Sequence, residues 1–201
     1  MSRLKLAVLI SGGGSNLQAI IDAIESHELD AEIKVVISNR KNAFGLERAQ
    51  KHNIKTAYIG IGNYKDISAR HEALLNLLVN EAVDLVVLAG YLSILSPKII
   101  KQFEKRIINI HPSLIPKYCG EGFYGEHVHE AVILNQEKES GATTHFVDEG
   151  VDTGEIIRQE RVSVMADDTA KTLAARVLEV EHRLMVGTIK AIQMGQVKIG
   201  L

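Results

Sequence analysis

Asn109-Ile110-His111 closes an apolar run, Arg106 to Ile110, and is followed at once by Pro112. Strand side chains alternate with period two, so Asn109 and His111 point to one face. Pro112 then ends the strand, which sets an amide and an imidazole side by side at its carboxyl end. Asp152 sits in Glu149-Gly150-Val151-Asp152-Thr153-Gly154, a turn-rich segment after a later apolar run. When that segment folds over the same edge, a carboxylate meets the imidazole. An amide, an imidazole and a carboxylate together can move an acyl group from a carbonyl donor to an amine. That chemistry needs a donor for the developing oxyanion and a route for the amine's proton. Asn109 and protonated His111 supply the donors, and Asp152 keeps His111 charged and holds a relaying water. Spacing alone leaves the bland alternatives open: a histidine at a strand end also reads as structural, and Asp152 as a turn residue.

A second chemical feature opens the chain. Ser11-Gly12-Gly13-Gly14-Ser15-Asn16 separates the first apolar run from the first helical pattern. Glycines there let backbone N–H groups face outward, and a helix N-terminus favours an anion. The Gly-Lys-Ser/Thr ending of an ATP loop is missing. The dinucleotide fingerprint fails too: Leu17 takes the third glycine position, and the second strand ends in Ser38-Asn39 without an acid. The expected guest is therefore a monophosphate; a tight turn without a ligand is the alternative.

The elements that position these residues alternate along the chain. Apolar runs at Leu6 to Ile10, Ile33 to Ile37, Lys55 to Ile59, Asp84 to Ala89 and Arg106 to Ile110 read as strands. Helical spacing marks Ser15 to Ser26, Phe44 to His52 and Ser68 to Asn80, and Ser96-Pro97 opens another helix. Ser15 and Gln18 have capping-box spacing. His127 to Asn135 reads as helix, Ala142 to Val147 and Glu155 to Val162 as two late strands, and Asp168 as the cap of a final helix ending near Gly195. Four strand–helix–strand repeats predict an α/β fold: a doubly wound, mostly parallel sheet with helices on both faces. Ligands of such sheets sit beyond the carboxyl ends of the strands, where Gly12 to Asn16, Gly90 to Leu95 and Asn109 to Ser113 all fall. The chain of 201 residues, 46% hydrophobic, suits one domain over 1–201.

Bulk properties narrow the class. A net charge of -2 gives no field for nucleic acid or an anionic membrane. The single cysteine, Cys119, excludes an intrachain disulfide and suits a reducing compartment. No apolar stretch approaches the ~20 residues that span a bilayer, and the initial apolar run ends in glycines rather than at a cleavage site. The expected location is cytoplasmic.

Five segments, in register from about Lys5 to about His182, resemble the folate-dependent glycinamide ribonucleotide formyltransferase family: LISGGGSNLQAI, SNRKNAFGLERA, DLVVLAGYLSILSP, INIHPSLIPKYCG and GATTHFVDEGVDTGEII. The resemblance implies a Rossmann-like formyltransferase fold and transfer of a formyl group from 10-formyltetrahydrofolate to the amine of 5'-phosphoribosylglycinamide, with no metal. It implies that Asn109, His111 and Asp152 are the catalytic trio. It places the substrate phosphate on Gly14, Ser15 and Asn16, with Gly13 adjacent, and the ribose or glycinamide part on Glu181. It lines the folate pocket with Leu92, Ser93, Ile94, Leu95 and Asn109, and with Asp148, Glu149, Gly150, Val151 and Asp152. His145, on the strand leading to that loop, reads as a hydrogen-bonded support rather than a reactant. Partners are small molecules, not nucleic acid or membrane, and the chain is a monomer or homodimer.

Two departures from the family pattern stand out. Ile67 occupies the place where many relatives carry an Arg for the folate tail, with Lys65 and Arg70 as nearby substitutes. The Cys119 to Gly125 loop is longer than usual. Cys119 reads as a plain loop thiol, and His127 with His129 as a surface pair at a helix start. The competing functions are a formyltetrahydrofolate deformylase and a non-catalytic module that binds a phosphorylated metabolite. The deformylase is disfavoured because it needs no phosphate loop, and its relatives usually carry a further N-terminal domain. A transfer-RNA formylating enzyme usually adds a basic C-terminal domain, and this chain is expected to have neither extension.

Overall fold

The computed structural model describes residues 3–200, so residues 1, 2 and 201 of the expected domain lie outside the described residues. One seven-stranded sheet runs in the order β3-β2-β1-β4-β5-β6-β7. Its strands are β1 (Leu4–Ile10), β2 (Ala31–Ser38), β3 (Thr56–Tyr58), β4 (Leu85–Leu88), β5 (Ile107–His111), β6 (Glu139–Phe146) and β7 (Ile156–Ser163). β3, β2, β1, β4 and β5 are mutually parallel; β6 and β7 add antiparallel. Helices α1 (Ser15–Glu25), α2 (Phe44–Lys51), α3 (Ile67–Asn80), α4 (Pro97–Gln102), α5 (Glu126–Leu134) and α6 (Ala170–Gln193) cover the faces. The doubly wound expectation holds. Strand order reverses between β1 and β4, which opens a crevice at their carboxyl ends.

The period-two pattern sorts the core. On β1, Leu6, Val8 and Ile10 pack under α1 and α6, whereas Ala7 and Leu9 pack under α3 and α4. All four residues of β4 are buried, as a central parallel strand requires. This two-sided burial is the main stabilising term, at roughly 1.5–3 kcal/mol for each large apolar side chain removed from water.

Two helix starts differ from the sequence reading. Gly14, not Ser15, is the N-cap of α1; it adopts φ 71° and its carbonyl receives Gln18 N–H at 2.9 Å. The left-handed turn winds the helix one residue early, so Ser15 is already helical and its hydroxyl caps nothing. A Cβ at Gly14 would lie 2.7 Å from Gly45 Cα, so glycine is required on steric grounds as well. Thr169, not Asp168, caps α6, through a reciprocal Thr169–Thr172 box. Asp168 instead accepts from Met165 N–H, Thr172 and the Arg176 guanidinium, which holds its carboxyl well below the usual range.

The loop carrying Asp152 is fixed by close packing. Asp148 Oδ1 accepts from Gly150 N–H at 3.1 Å and Thr153 Oγ1 at 2.6 Å, closing an Asx turn. Asp152 lies at φ 57°, a region Asp tolerates better than most residues. Gly154 then passes under the end of β6, where a Cβ would sit 1.8 Å from the Phe146 carbonyl oxygen. Gly154→Ala is therefore expected to lower stability by about 1–3 kcal/mol, the usual cost of overpacking. A thermal melt checks it, and an unchanged midpoint would show that the loop is not held by this contact.

Candidate active site

β5 delivers Asn109 and His111 from one face to the crevice, as the alternation demands. The loop after β6 brings Asp152 to meet them. Asp152 Oδ2 lies 3.4 Å from His111 Nδ1 and accepts from Gly120 N–H at 3.1 Å. Its Oδ1 lies 3.4 Å from Asn109 Nδ2 and 3.5 Å from His145 Nε2. His145 is paired across the sheet with Asn109, and the Asn109 amide donates to its Nε2 at 3.1 Å. The His145 Nδ1–H donates to the Phe146 carbonyl at 2.8 Å, which fixes the tautomer that leaves Nε2 free to accept. His145 is 2% exposed and touches both Asn109 and Asp152 from behind, in keeping with a supporting role.

His111 is 4% exposed, and its Nε2–H donates to the Tyr118 carbonyl at 2.8 Å. Burial lowers its pKa; Asp152 and Tyr118 raise it, His145 lowers it further, and the net is below the ordinary histidine value. At pH 7 the ring is therefore neutral, with its proton on Nε2 and a lone pair on Nδ1 facing Asp152. The expectation of a resting protonated His111 is corrected: burial outweighs the carboxylate. Burial by itself raises the Asp152 carboxyl, but the imidazoles of His145 and His111, which donate to it and carry charge once protonated, act with Gly120 N–H to bring it below the usual range. Asp152 thus stays ionised at pH 5 and above. Any acid limb of activity between pH 5 and 8 belongs to groups other than Asp152.

The trio forms the floor of a cavity of about 870 Å³. One wall is Gly90 to Leu95, including Leu92, Ser93, Ile94 and Leu95; the other is Asp148 to Asp152, including Glu149, Gly150 and Val151. Ser11 and Asn39 tie down the first wall. Leu92 N–H donates to Ser11 Oγ at 2.8 Å, Ser11 Oγ–H donates to Asn39 Oδ1 at 2.6 Å, and Asn39 Nδ2 donates to Ser93 Oγ at 2.7 Å. These bonds join the ends of β1 and β2 to the loop after β4, a link that no local pattern reveals.

Gly13, Gly14, Ser15 and Asn16 do not line this cavity; they lie beside it and reach it through Glu181. Asn16 Nδ2 donates to Glu181 Oε2 at 2.8 Å, while Asn16 Oδ1 is buried without a partner. Burial raises the Glu181 carboxyl to about 7, against the lowering effect of Asn16. By surface exposure Glu181 is only half-buried, so solvent moderates that shift.

Three lining features were not legible in the sequence. The Gly120 to Gly125 stretch of the long loop forms the mouth, with Gly120 and Gly122 both at φ 88°. Arg40 is the one Arg or Lys side chain among the lining residues. His129 was read as a surface residue, yet it is 4% exposed, lines the cavity and carries an unpartnered Nδ1; burial pulls its pKa to about 4. The first turn of α5 points it inward, while His127, two residues before, stays exposed beside Glu130. Ile67 is 60% exposed at the start of α3, Lys65 is exposed beside Asp66, and Arg70 is buried with Nη2 donating to His71 Nε2 at 3.2 Å. None of the three lines the cavity. Cys119 donates to the Pro116 carbonyl at 3.3 Å, as a plain loop thiol. Among the described residues no group of three or more His, Cys, Asp or Glu is arranged to hold a metal ion, and no helix is long and apolar enough to cross a membrane.

Comparison with known proteins agrees with this geometry. The formyl transferase family profile matches residues 4–189. The phosphoribosylglycinamide formyltransferase of Haemophilus influenzae is 41% identical over 97% of this chain and 90% of its own length. The chloroplastic phosphoribosylglycinamide formyltransferase of Vigna unguiculata is 42% identical over 94% of this chain, which spans 61% of that relative. In structure, glycinamide ribonucleotide transformylase 1 of Symbiobacterium toebii superposes with a TM-score of 0.92 at 37% identity, covering 99% of this chain and 92% of that one. A formyltetrahydrofolate deformylase of Pseudomonas syringae shares the fold at a TM-score of 0.89 but only 26% identity, with 98% of this chain and 64% of that one covered. A match over nearly the whole chain, with relatives about 40% identical, establishes that this chain belongs to the formyl transferase family.

Proposed function

We propose that the protein transfers the formyl group of 10-formyltetrahydrofolate to the amine of 5'-phosphoribosylglycinamide, giving formylglycinamide ribonucleotide and tetrahydrofolate. The observation that carries this reading is the convergence of Asn109, His111 and Asp152 at one end of a cavity whose other side adjoins the glycine loop. The cavity fits a flat, largely apolar donor: Leu88, Leu92, Ile94, Ile100, Val147 and Val151 line it, between two backbone-rich loops. The glycine loop fits the acceptor's phosphate, and Glu181 its ribose or glycinamide hydrogen-bond donors. The supporting formyltransferase domain is taken as the whole of 1–201.

The trio then has distinct tasks. The Asn109 amide spends one hydrogen on His145; its other, at 3.4 Å from Asp152, is a long bond that an incoming formyl oxygen can recruit. That hydrogen stabilises the oxyanion formed when the amine attacks. The amine's proton must finally reach N10 of the folate. His111 Nδ1 is free to take it, and Asp152 beside Nδ1 stabilises the imidazolium that results. His111 then returns the proton to the departing nitrogen, so no proton is gained or lost overall. No covalent intermediate on the protein is needed.

A deformylase would use the same three residues with water as acceptor. The glycine loop argues against it, because hydrolysis of a folate has no use for a phosphate cradle. A non-catalytic binding module would have no use for the trio.

Two outcomes follow. His111→Ala is expected to reduce turnover on the order of a hundredfold or more, and Asp152→Asn to reduce it with the acceptor KM nearly unchanged. Steady-state assay with both substrates, beside a formyl-folate hydrolysis assay, tests this; full turnover in His111→Ala, or hydrolysis exceeding transfer, would overturn the reading. Glu181 gives a pH signature. Its folded pKa, about 7, lies above the unfolded carboxyl value, so its charged form is penalised on folding. Its contribution is therefore fully present below the unfolded pKa and is lost as pH rises through 7. After allowance for solvent screening, Glu181→Gln should recover about 1 kcal/mol at pH 8 relative to pH 5. Melting curves at the two pH values check it, and parallel losses in both proteins would refute the assignment.

A further inference from the structure

α2 is tied to the glycine loop at two consecutive carbonyls. Gly45 N–H donates to Gly12 O at 3.0 Å, and Arg48 Nε–H donates to Gly13 O at 2.8 Å. In a trans peptide the C=O and the following N–H point in opposite directions. With both carbonyls turned toward α2, the N–H groups of Gly13 and Gly14 are turned away from it. Neither finds an acceptor among the described residues. Ser15 and Asn16 stand in the first turn of α1, where N–H groups also lack internal partners. Asn16, on the far side of the loop from α2, reaches Glu181 of α6. The loop therefore presents a row of unpartnered donors to the opening between α1 and α6, and α2 sets their direction.

Arg48 is built to hold that orientation. Its Nη1 donates to Gln18 Oε1 at 3.2 Å, and its guanidinium lies over the Phe44 ring at 4.9 Å. Four features therefore meet at one half-buried side chain: the loop, α1, α2 and an aromatic face. No carboxylate lies within ion-pairing distance of it among the described residues, so its charge stays available to the loop. Gly45 is constrained by the same contact. A Cβ there would meet Ile10 Cδ1 at 2.4 Å and Gly14 Cα at 3.2 Å, so α2 can approach the loop only through a glycine.

We propose that Arg48 is a positioning residue for the acceptor's phosphate: by holding the Gly13 carbonyl toward α2 it turns the Gly14 N–H, beside the Gly13 N–H that Gly45 orients, toward a phosphate monoester dianion, and its positive charge adds to the field there. This rests on the reading of the glycine loop given above. It assigns part of the acceptor specificity to α2, a helix that touches neither the cavity nor the trio.

The test is steady-state kinetics on the full chain with Arg48→Met and Arg48→Lys, and inorganic phosphate as a competitor against the acceptor. Arg48→Met should raise both the acceptor KM and the inhibition constant of phosphate by about tenfold. The turnover number and the formyl-donor KM should stay within about twofold of the parent, as for loss of uniform binding. Arg48→Lys keeps a cationic donor and should recover most of the loss. Thermal melts of both variants should match the parent within a few degrees, since Arg48 is half-exposed; if Arg48→Met melts early, Arg48→Lys is compared with Arg48→Gln instead, by the same readouts. An unchanged acceptor KM and phosphate inhibition, a fall in turnover with donor affinity, or a lysine variant no better than methionine or glutamine would each overturn the proposal. If the parent protein is not inhibited by phosphate and uses a dephosphorylated acceptor equally well, the reading of the loop itself fails, which a normal parent with normal variants does not imply.

Discussion

A carboxylate set into a half-buried cleft is costly as an anion unless donors and positive charge surround it. Asp152 meets four groups: Gly120 N–H, the Asn109 amide, and the imidazoles of His111 and His145. They come from three parts of the chain, β5 for Asn109 and His111, β6 for His145 and the mouth loop for Gly120, and each is held in turn by something else. Asn109 and His145 are register partners on β5 and β6. Gly120 belongs to the long loop after Tyr118, whose carbonyl also receives the His111 Nε2–H. The reactive geometry is thus a closed set of mutual constraints centred on one charge. If that charge is removed, the imidazole, the amide and the mouth loop all lose a partner together.

The two ends of the site are separated in both space and electrostatics. At the chemical end, burial keeps His111 neutral while Asp152, held by Gly120 N–H, is ionised, so a proton acceptor stands next to a stabilising anion. At the glycine loop, backbone N–H groups and Arg48 give a positive field. Glu181 sits between, with its carboxyl raised to about 7 by burial. A carboxyl that shares its proton near neutrality repels an anion at that loop less than a permanent carboxylate would.

The sheet was readable because parallel central strands are continuous apolar runs and glycine marks their ends; β1, β4 and β5 needed nothing else. Asn109 and His111 were readable for the same reason, since one strand fixes their common face. Asp152 was readable only as a candidate, because its loop closes through Gly154 and an Asx turn, and local spacing does not say over which edge. The helix caps misled because a left-handed Gly14 displaces the start of α1 by a residue, and because Asp168 found an arginine two turns on. His129 was missed because its inward orientation depends on the path of the long loop before α5, whose glycines are free of sequence periodicity. The resting charge of His111 was misjudged because a nearby carboxylate is visible in sequence and the depth of burial is not. Ser11, Asn39 and Arg48 act across separations that no motif spans.

Asp152 and burial act in opposite directions on a resting neutral His111. Nitrogen-15 NMR of histidine-labelled protein reads this directly, in the parent and in Asp152→Asn. The expected result is a neutral His111 ring protonated at Nε2 at pH 7, with a titration midpoint below the ordinary histidine value that falls further in the variant. An imidazolium at pH 7 in the substrate-free protein, or a midpoint indifferent to the loss of the carboxylate, would contradict it.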